Sequence, residues 1–141
     1  MGYCEVAELT ELLSERELAE LTAESGEQPD EAVAQAAIDR AGAEIDGYLA
    51  VRYQLPLSST PARIRALCLD MAVYHLFVRR GLADEVRRQR YLDALGFLRD
   101  VAAGRAQVTG ADGLEPPGEA AEVVEVSSQT RVFDRDKLSG W

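Results

Sequence analysis

The sequence predicts an all-α fold: a small bundle of four to five helices with a C-terminal extended arm or weak β-hairpin. Three observations predict it. Apolar residues recur every three or four positions through most of residues 5–104. Start and stop signals punctuate that pattern at Ser14, Asp30, Thr60-Pro61, Gly81, Asp84 and Gly104. Beyond Gly104, glycines and prolines crowd together and the residues after them are β-prone. The 141 residues thus divide into a helical domain over 1–104, a Gly/Pro-rich linker over 105–121 and an arm over 122–141.

Residues 5–22 predict one or two short helices. Val6, Leu9, Leu12 and Leu13 recur at helical spacing, and Ser14 with Glu17 makes a capping box that restarts the helix toward Leu18 and Leu21. Ser25-Gly26-Glu27-Gln28-Pro29 interrupts it. Asp30 is the N-cap of the next helix, which runs to about Tyr53 with Val33, Ala37, Ala41, Ile45, Tyr48 and Leu49 on one face. Leu55-Pro56-Leu57 breaks it and is an exposed apolar candidate contact. Thr60-Pro61 starts the third long pattern, with the Thr60 hydroxyl as its expected cap and proline at the first helical position. Ile64, Leu67, Cys68, Met71, Ala72, His75 and Val78 form its face, and Leu69, Val73 and Phe77 widen it, as befits the central helix. Gly81 is a natural residue just past its end. Asp84-Glu85 opens the last helix, with Val86, Leu92, Leu95, Leu98, Val101 and Ala102 inward and Gly104 as its stop.

Charge is segregated along the chain. The total is −10, yet residues 1–60 carry −10, residues 61–105 carry +4 and residues 106–141 carry −4; fourteen of the fifteen bases are Arg. Such an acidic chain is a poor candidate for gripping nucleic acid through phosphates. Either acidic and basic helices pair within one monomer or different faces meet different neighbours. Two cysteines, Cys4 and Cys68, are too few for a disulfide framework and lack zinc spacing. With neither a membrane-length apolar run nor a signal-peptide pattern, a soluble protein of a reducing compartment is expected.

No catalytic constellation stands out, and an enzyme is not expected. His75, the only histidine, is read as a packed, hydrogen-bonded core residue. Cys68 reads as a small buried hydrophobe, and Cys4 as a helix-start residue without a spaced partner. Gly110-x-x-Gly113 is not followed by the Gly-Lys-Ser/Thr of a phosphate loop. Arg79, Arg80, Arg87, Arg88 and Arg90 form one basic cluster, open to three readings: a phosphate contact, a solvated helix end whose cations complement the dipole, or a surface for the acidic residues of a neighbouring copy. In the arm, Arg131, Phe133, Arg135, Leu138 and Trp141 are anchor-type residues. They make it a docking peptide, or else a segment that folds back over the helices.

Several stretches together resemble the small head–tail joining (adaptor) proteins of Mu-like tailed phages and prophages. They are Tyr3 with Glu8-Leu9 and Glu17-Leu18-Ala19-Glu20-Leu21-Thr22; Ala43-Glu44-Ile45-Asp46-Gly47-Tyr48-Leu49 with Arg52-Tyr53 and Leu55-Pro56-Leu57; Tyr91-Leu92-Asp93-Ala94-Leu95 with Leu98-Arg99 and Ala103-Gly104; and the closing Arg131-Val132-Phe133-Asp134-Arg135-Asp136 and Leu138-Ser139-Gly140-Trp141. Cys4 departs from the family, which often has a hydroxyl or small residue there. The resemblance implies a cofactor-free helical adaptor of the virion neck, made in the host bacterial cytoplasm. It would assemble as a ring, dodecameric by that likeness, beneath the portal protein. The ring would extend the DNA channel and support a stopper or tail-terminator protein. Double-stranded DNA would pass through its lumen without specific binding, and no membrane would be involved. The alternatives are another neck or tail component such as a stopper, a helical nucleic-acid-binding regulator using the Arg79–Arg90 cluster, and a small enzyme using His75.

Overall fold

Among the described residues, three of the four α-helices begin where a side chain satisfies one of their first free amides. Residues 2–25, 27–57 and 59–108 are described by a computed structural model. Along the chain come a 3-10 helix at Val6–Glu11, then α1 (Glu15–Thr22), α2 (Glu31–Leu49), α3 (Ala62–Arg79) and α4 (Glu85–Ala102). The fold is a small all-α bundle, with no strand among the described residues. The arm over 122–141 and all of the linker beyond Val108 lie outside the described residues.

The caps expected at Ser14, Asp30 and Asp84 form, whereas the Thr60 hydroxyl caps nothing: α3 has Pro61 at its N-cap and no side-chain cap hydrogen bond. Ser14 Oγ accepts from the Glu17 amide at 3.1 Å while the Glu17 carboxylate accepts from the Ser14 amide at 3.0 Å. Asp30 accepts from the amides of Ala32 and Val33, and Asp84 from that of Arg87. The Asp30 amide in turn donates to Thr22 Oγ1 at 2.8 Å, tying the end of α1 to the start of α2. Gly81, at φ 70°, closes α3: its amide donates to Val78 O and the Leu82 amide reaches back to Phe77 O. This is the paired ending that a left-handed residue permits, and glycine takes that conformation without steric cost.

Three boundaries differ from expectation. Pro61 precedes the third long helix instead of opening it; its ψ of 147° is extended, and its carbonyl accepts the Arg65 amide from outside the helix. α2 stops at Leu49, and residues 50–53 turn so that the Tyr53 hydroxyl accepts from the Val108 amide at 3.0 Å. Val108 is buried and Ala106 packs on the core, so the packed unit continues past Gly104 into the expected linker.

α3 is central, touching α1, α2, α4 and the 3-10 helix. It buries Ile64, Leu67, Cys68, Leu69, Met71, Ala72, Val73, His75 and Leu76, so three of its sides are apolar contacts. Against it α2 sets the small residues Ala34, Ala37, Ala41 and Gly42 with Ile38, Ile45 and Leu49. Ala34, Ile38 and Leu76 extend the expected faces. Val78, Val86 and Leu92, expected inward, are exposed instead. Val78 and Val86 flank the α3–α4 turn, where the apolar period runs on past the buried part of each helix.

Candidate functional site

A partly buried carboxylate links three helices at the edge of the core. Glu44 stands on α2, one turn from the buried Ala41 and beside Ile45, at the level where α3 presents His75 and α4 presents Tyr91. One oxygen, Oε1, lies 2.5 Å from His75 Nε2; the other, Oε2, accepts from the Tyr91 hydroxyl at 2.7 Å. Tyr91 stacks on Tyr74 at 4.4 Å between ring centroids and meets the His75 ring edge-on. Burial pushes the imidazole pKa below its ordinary value, and outweighs the opposite pull of Glu44. Burial first, and then Glu44, raises the Tyr91 phenol to about 12. His75 is thus a buried, hydrogen-bonded residue as expected. Its partners Glu44 and Tyr91 were not expected, because they lie on other helices. Beside this cluster, Val33, Ala37, Leu76, Arg40 and Arg79 line an apolar cleft of about 390 Å³ between α2 and α3.

Cys4 and Cys68 overturn the expectation that Cys4 has no partner. Both are buried and free, and the Cys4 thiol lies 3.1 Å from the Cys68 sulfur. Tyr3, next along the chain, donates its hydroxyl to Asp46 on α2. No local signal marks this pairing, since 64 positions separate the two residues.

The arginine cluster divides in two. Arg79 and Arg80 reach across to α1: Arg79 Nη1 donates to Leu21 O at 3.2 Å, and Arg80 donates to Leu21 O and, at 2.7 Å, to Ala23 O. They complement the C-terminal carbonyls of α1, which has no base in its own last turn. Arg87 pairs with Asp84 and lies 4.1 Å over the Phe77 ring. Arg88 stands 4.0 Å from exposed Glu85, and Arg90 is exposed. Around them Leu82 and Val86 are 59% and 62% exposed. A second charge link, Arg65 to Glu8 at 2.8 Å, joins α3 to the 3-10 helix. Part of the charge segregation is therefore satisfied within the monomer.

In the expected contact loop, the Leu55–Pro56 bond is cis and only Pro56 is exposed; Leu55 and Leu57 are half-buried and pack on the core. This loop belongs to the fold more than to the surface. Arg131, Phe133, Arg135, Leu138 and Trp141 lie outside the described residues. Among the described residues no helix is long and apolar enough to cross a membrane.

Comparison with known proteins places these features in one group. The family described as Bacteriophage Mu, Gp36 matches residues 3–126. The chain is 36% identical over 110 residues to gene product J of Escherichia phage Mu, covering 77% of this chain and 75% of that protein. It is 41% identical over 75 residues to the Mu-like prophage FluMu protein gp36 of Haemophilus influenzae, covering 53% of this chain and 52% of that relative, about half its length. The helical unit over residues 3–108 falls wholly inside the matched region, and on that match the chain belongs to the Mu-like phage and prophage family Gp36.

Proposed function

We propose that the chain is a structural head–tail connector of a Mu-like phage or prophage particle. In this reading it is an adaptor that forms a ring beneath the portal, lengthens the DNA channel and receives the stopper or tail. The observation that carries the reading is membership of a Mu-like phage family in a chain whose closing residues, Arg131-Val132-Phe133 through Trp141, resemble those of head–tail joining proteins.

The physical features support it. Leu82 and Val86 stand exposed beside Arg88 and Arg90 at the α3–α4 corner. Apolar side chains mixed with arginines are the composition of a protein-binding patch. Exposed carboxylates at Glu11, Glu15, Glu20, Glu24, Glu27 and Glu31 supply the complementary surface on a neighbouring copy. Arginine suits that role because its planar fork pairs with carboxylates bidentately. The surplus negative charge of a ring would repel the phosphates of passing duplex, so DNA slides instead of sticking. Glu44, His75 and Tyr91 act as an interhelical bridge in this reading and carry out no turnover.

The test uses tailless heads that bear the portal. The full chain, added to them, is expected to form a ring on the portal, seen by electron microscopy. A chain lacking residues 127–141 is expected to keep its helical circular dichroism and leave the portal bare. Portals left bare by the full chain would overturn the reading. Unfolding on the deletion would make those residues core instead of connector. Attachment only to heads that already carry an adaptor would identify a stopper.

A further inference from the structure

Among the described residues, the thiol pair is a reactive cluster that neither the bundle's packing nor the connector reading uses. Cys4 is 4% exposed and Cys68 is 0% exposed, and their sulfurs are 3.1 Å apart. A disulfide bond is about 2.0 Å long, so closing the pair needs an approach of roughly 1 Å. The two residues sit on very different supports. Cys68 is in the middle of α3, the helix around which the bundle packs. Cys4 lies outside any helix, on the stretch before the 3-10 helix. That stretch is held by Tyr3 on Asp46 and by the close packing of Gly2, where an added Cβ would stand 2.8 Å from Ile38 Cγ2. A segment without helical hydrogen bonds opens more easily than the helix beneath it. Its opening uncovers both sulfurs while α3 stays folded.

We propose that Cys4 and Cys68 form an oxidation site for a two-electron oxidant of the peroxide class, which closes them to a reversible disulfide fastening residues 2–5 to α3. The chemistry balances in two steps. The Cys68 sulfur attacks the O–O bond of hydrogen peroxide, becoming a sulfenic acid and releasing one water. The Cys4 sulfur then displaces the sulfenic oxygen; the S–S bond forms and a second water leaves. Two thiols lose two hydrogens and two electrons, and the peroxide is reduced to two waters. The order follows from the supports: Cys68 stays fixed on α3, while Cys4 is carried on the segment that opens and recloses, so Cys4 is the thiol that returns to resolve the sulfenic acid. A reduced thiol pair lets residues 2–5 open and close, and a disulfide ends that freedom. The inference stands whether or not the connector reading holds.

The full chain, treated with hydrogen peroxide, quenched and then alkylated under denaturing conditions, provides the test. A monomer lighter by two hydrogens is expected, with a Cys4–Cys68 cross-linked peptide and no alkylated thiol. Dithiothreitol should restore both thiols. The oxidised chain should melt on the order of 10 °C higher, since a cross-link spanning a long loop restricts the unfolded chain. In Cys4→Ala, which leaves α3 intact, dimedone should label Cys68 under the same oxidation. Three results would each overturn the inference: both thiols still alkylated after peroxide, a disulfide-linked dimer, or over-oxidation to sulfinic acid with no cross-link. A cross-link that leaves the melting midpoint unmoved would refute the fastening of the segment.

Discussion

His75 meets water through a few per cent of its surface and faces a carboxylate at hydrogen-bond distance. These two facts pull its protonation in opposite directions, and burial wins. The consequence for stability has a definite sign. In the unfolded chain the imidazole takes up a proton near pH 6.5, whereas in the folded chain it does so only at lower pH. Below about pH 6.5 the unfolded state therefore binds more protons, and stability falls as the pH drops. Above that value the penalty is absent. No other side chain of ordinary pKa titrates between about pH 5.5 and 7, and the chain has a single histidine. The urea midpoint is expected to decline across that window in the wild-type protein and to stay level in His75→Gln. An equal decline in both proteins would assign the effect to other groups. The same residue shows what a sequence can reveal. Its place on an apolar face was enough to read it as buried and hydrogen-bonded. Its partners were hidden, because Glu44 and Tyr91 meet it only after three helices have packed.

Glu44 is where α2, α3 and α4 are pinned to one another by polar contacts. Its two oxygens take a different helix each. Glu44→Ala would strand a buried imidazole and a half-buried phenol without their acceptor. The expected loss is about 2 kcal/mol in chemical denaturation. Glu44→Gln, which can still accept from Tyr91, should lose less. Equal losses in the two variants would mean that packing, not hydrogen bonding, is what Glu44 supplies.

Most of the helices themselves were legible from local chemistry. Ser14, Asp30 and Asp84 cap from within three residues, and Gly81 and Gly104 end helices by their own backbone freedom. Contacts between distant positions were not legible: Cys4 with Cys68, Arg80 with Ala23, Tyr53 with Val108. Helical spacing also overreached at Val78 and Val86, because a periodic pattern says which face is apolar and not how far the neighbouring helix extends. Pro61 moved out by one position because proline is equally content in the extended conformation that precedes a helix. Of the proposed contact residues, Leu55 and Leu57 pack on the core and Pro56 is exposed, while Arg88 and Arg90 are exposed.

Across the whole molecule, the charge ledger separates into two accounts. Arg79, Arg80, Arg87 and Arg65 are engaged inside the monomer. Arg88, 4.0 Å from Glu85, and Arg90 keep exposed side chains at the α3–α4 corner, where Leu82 and Val86 are exposed too. If that corner receives the acidic surface of a neighbouring copy, reversing both charges should act on assembly and not on folding. The double substitution Arg88→Glu, Arg90→Glu is expected to leave the thermal midpoint within a few degrees of wild type. Ring formation on portal-bearing heads should fall at least tenfold. Wild-type assembly should also weaken as salt is raised, since exposed charges are screened over roughly 8 Å at physiological ionic strength. A variant that assembles normally would move the subunit contact elsewhere on the bundle.

The reach of Arg79 and Arg80 back to Leu21 and Ala23 also bears on how the protein is made. α1 has only eight residues, too short to hold together alone in water. The cations at its C-terminal end come from the far end of α3, 57 to 59 positions later. On the ribosome α1 must therefore wait for nearly the whole of α3 before its end is satisfied. Synthesis runs from one end of the chain to the other; α1 is completed only when α3 arrives.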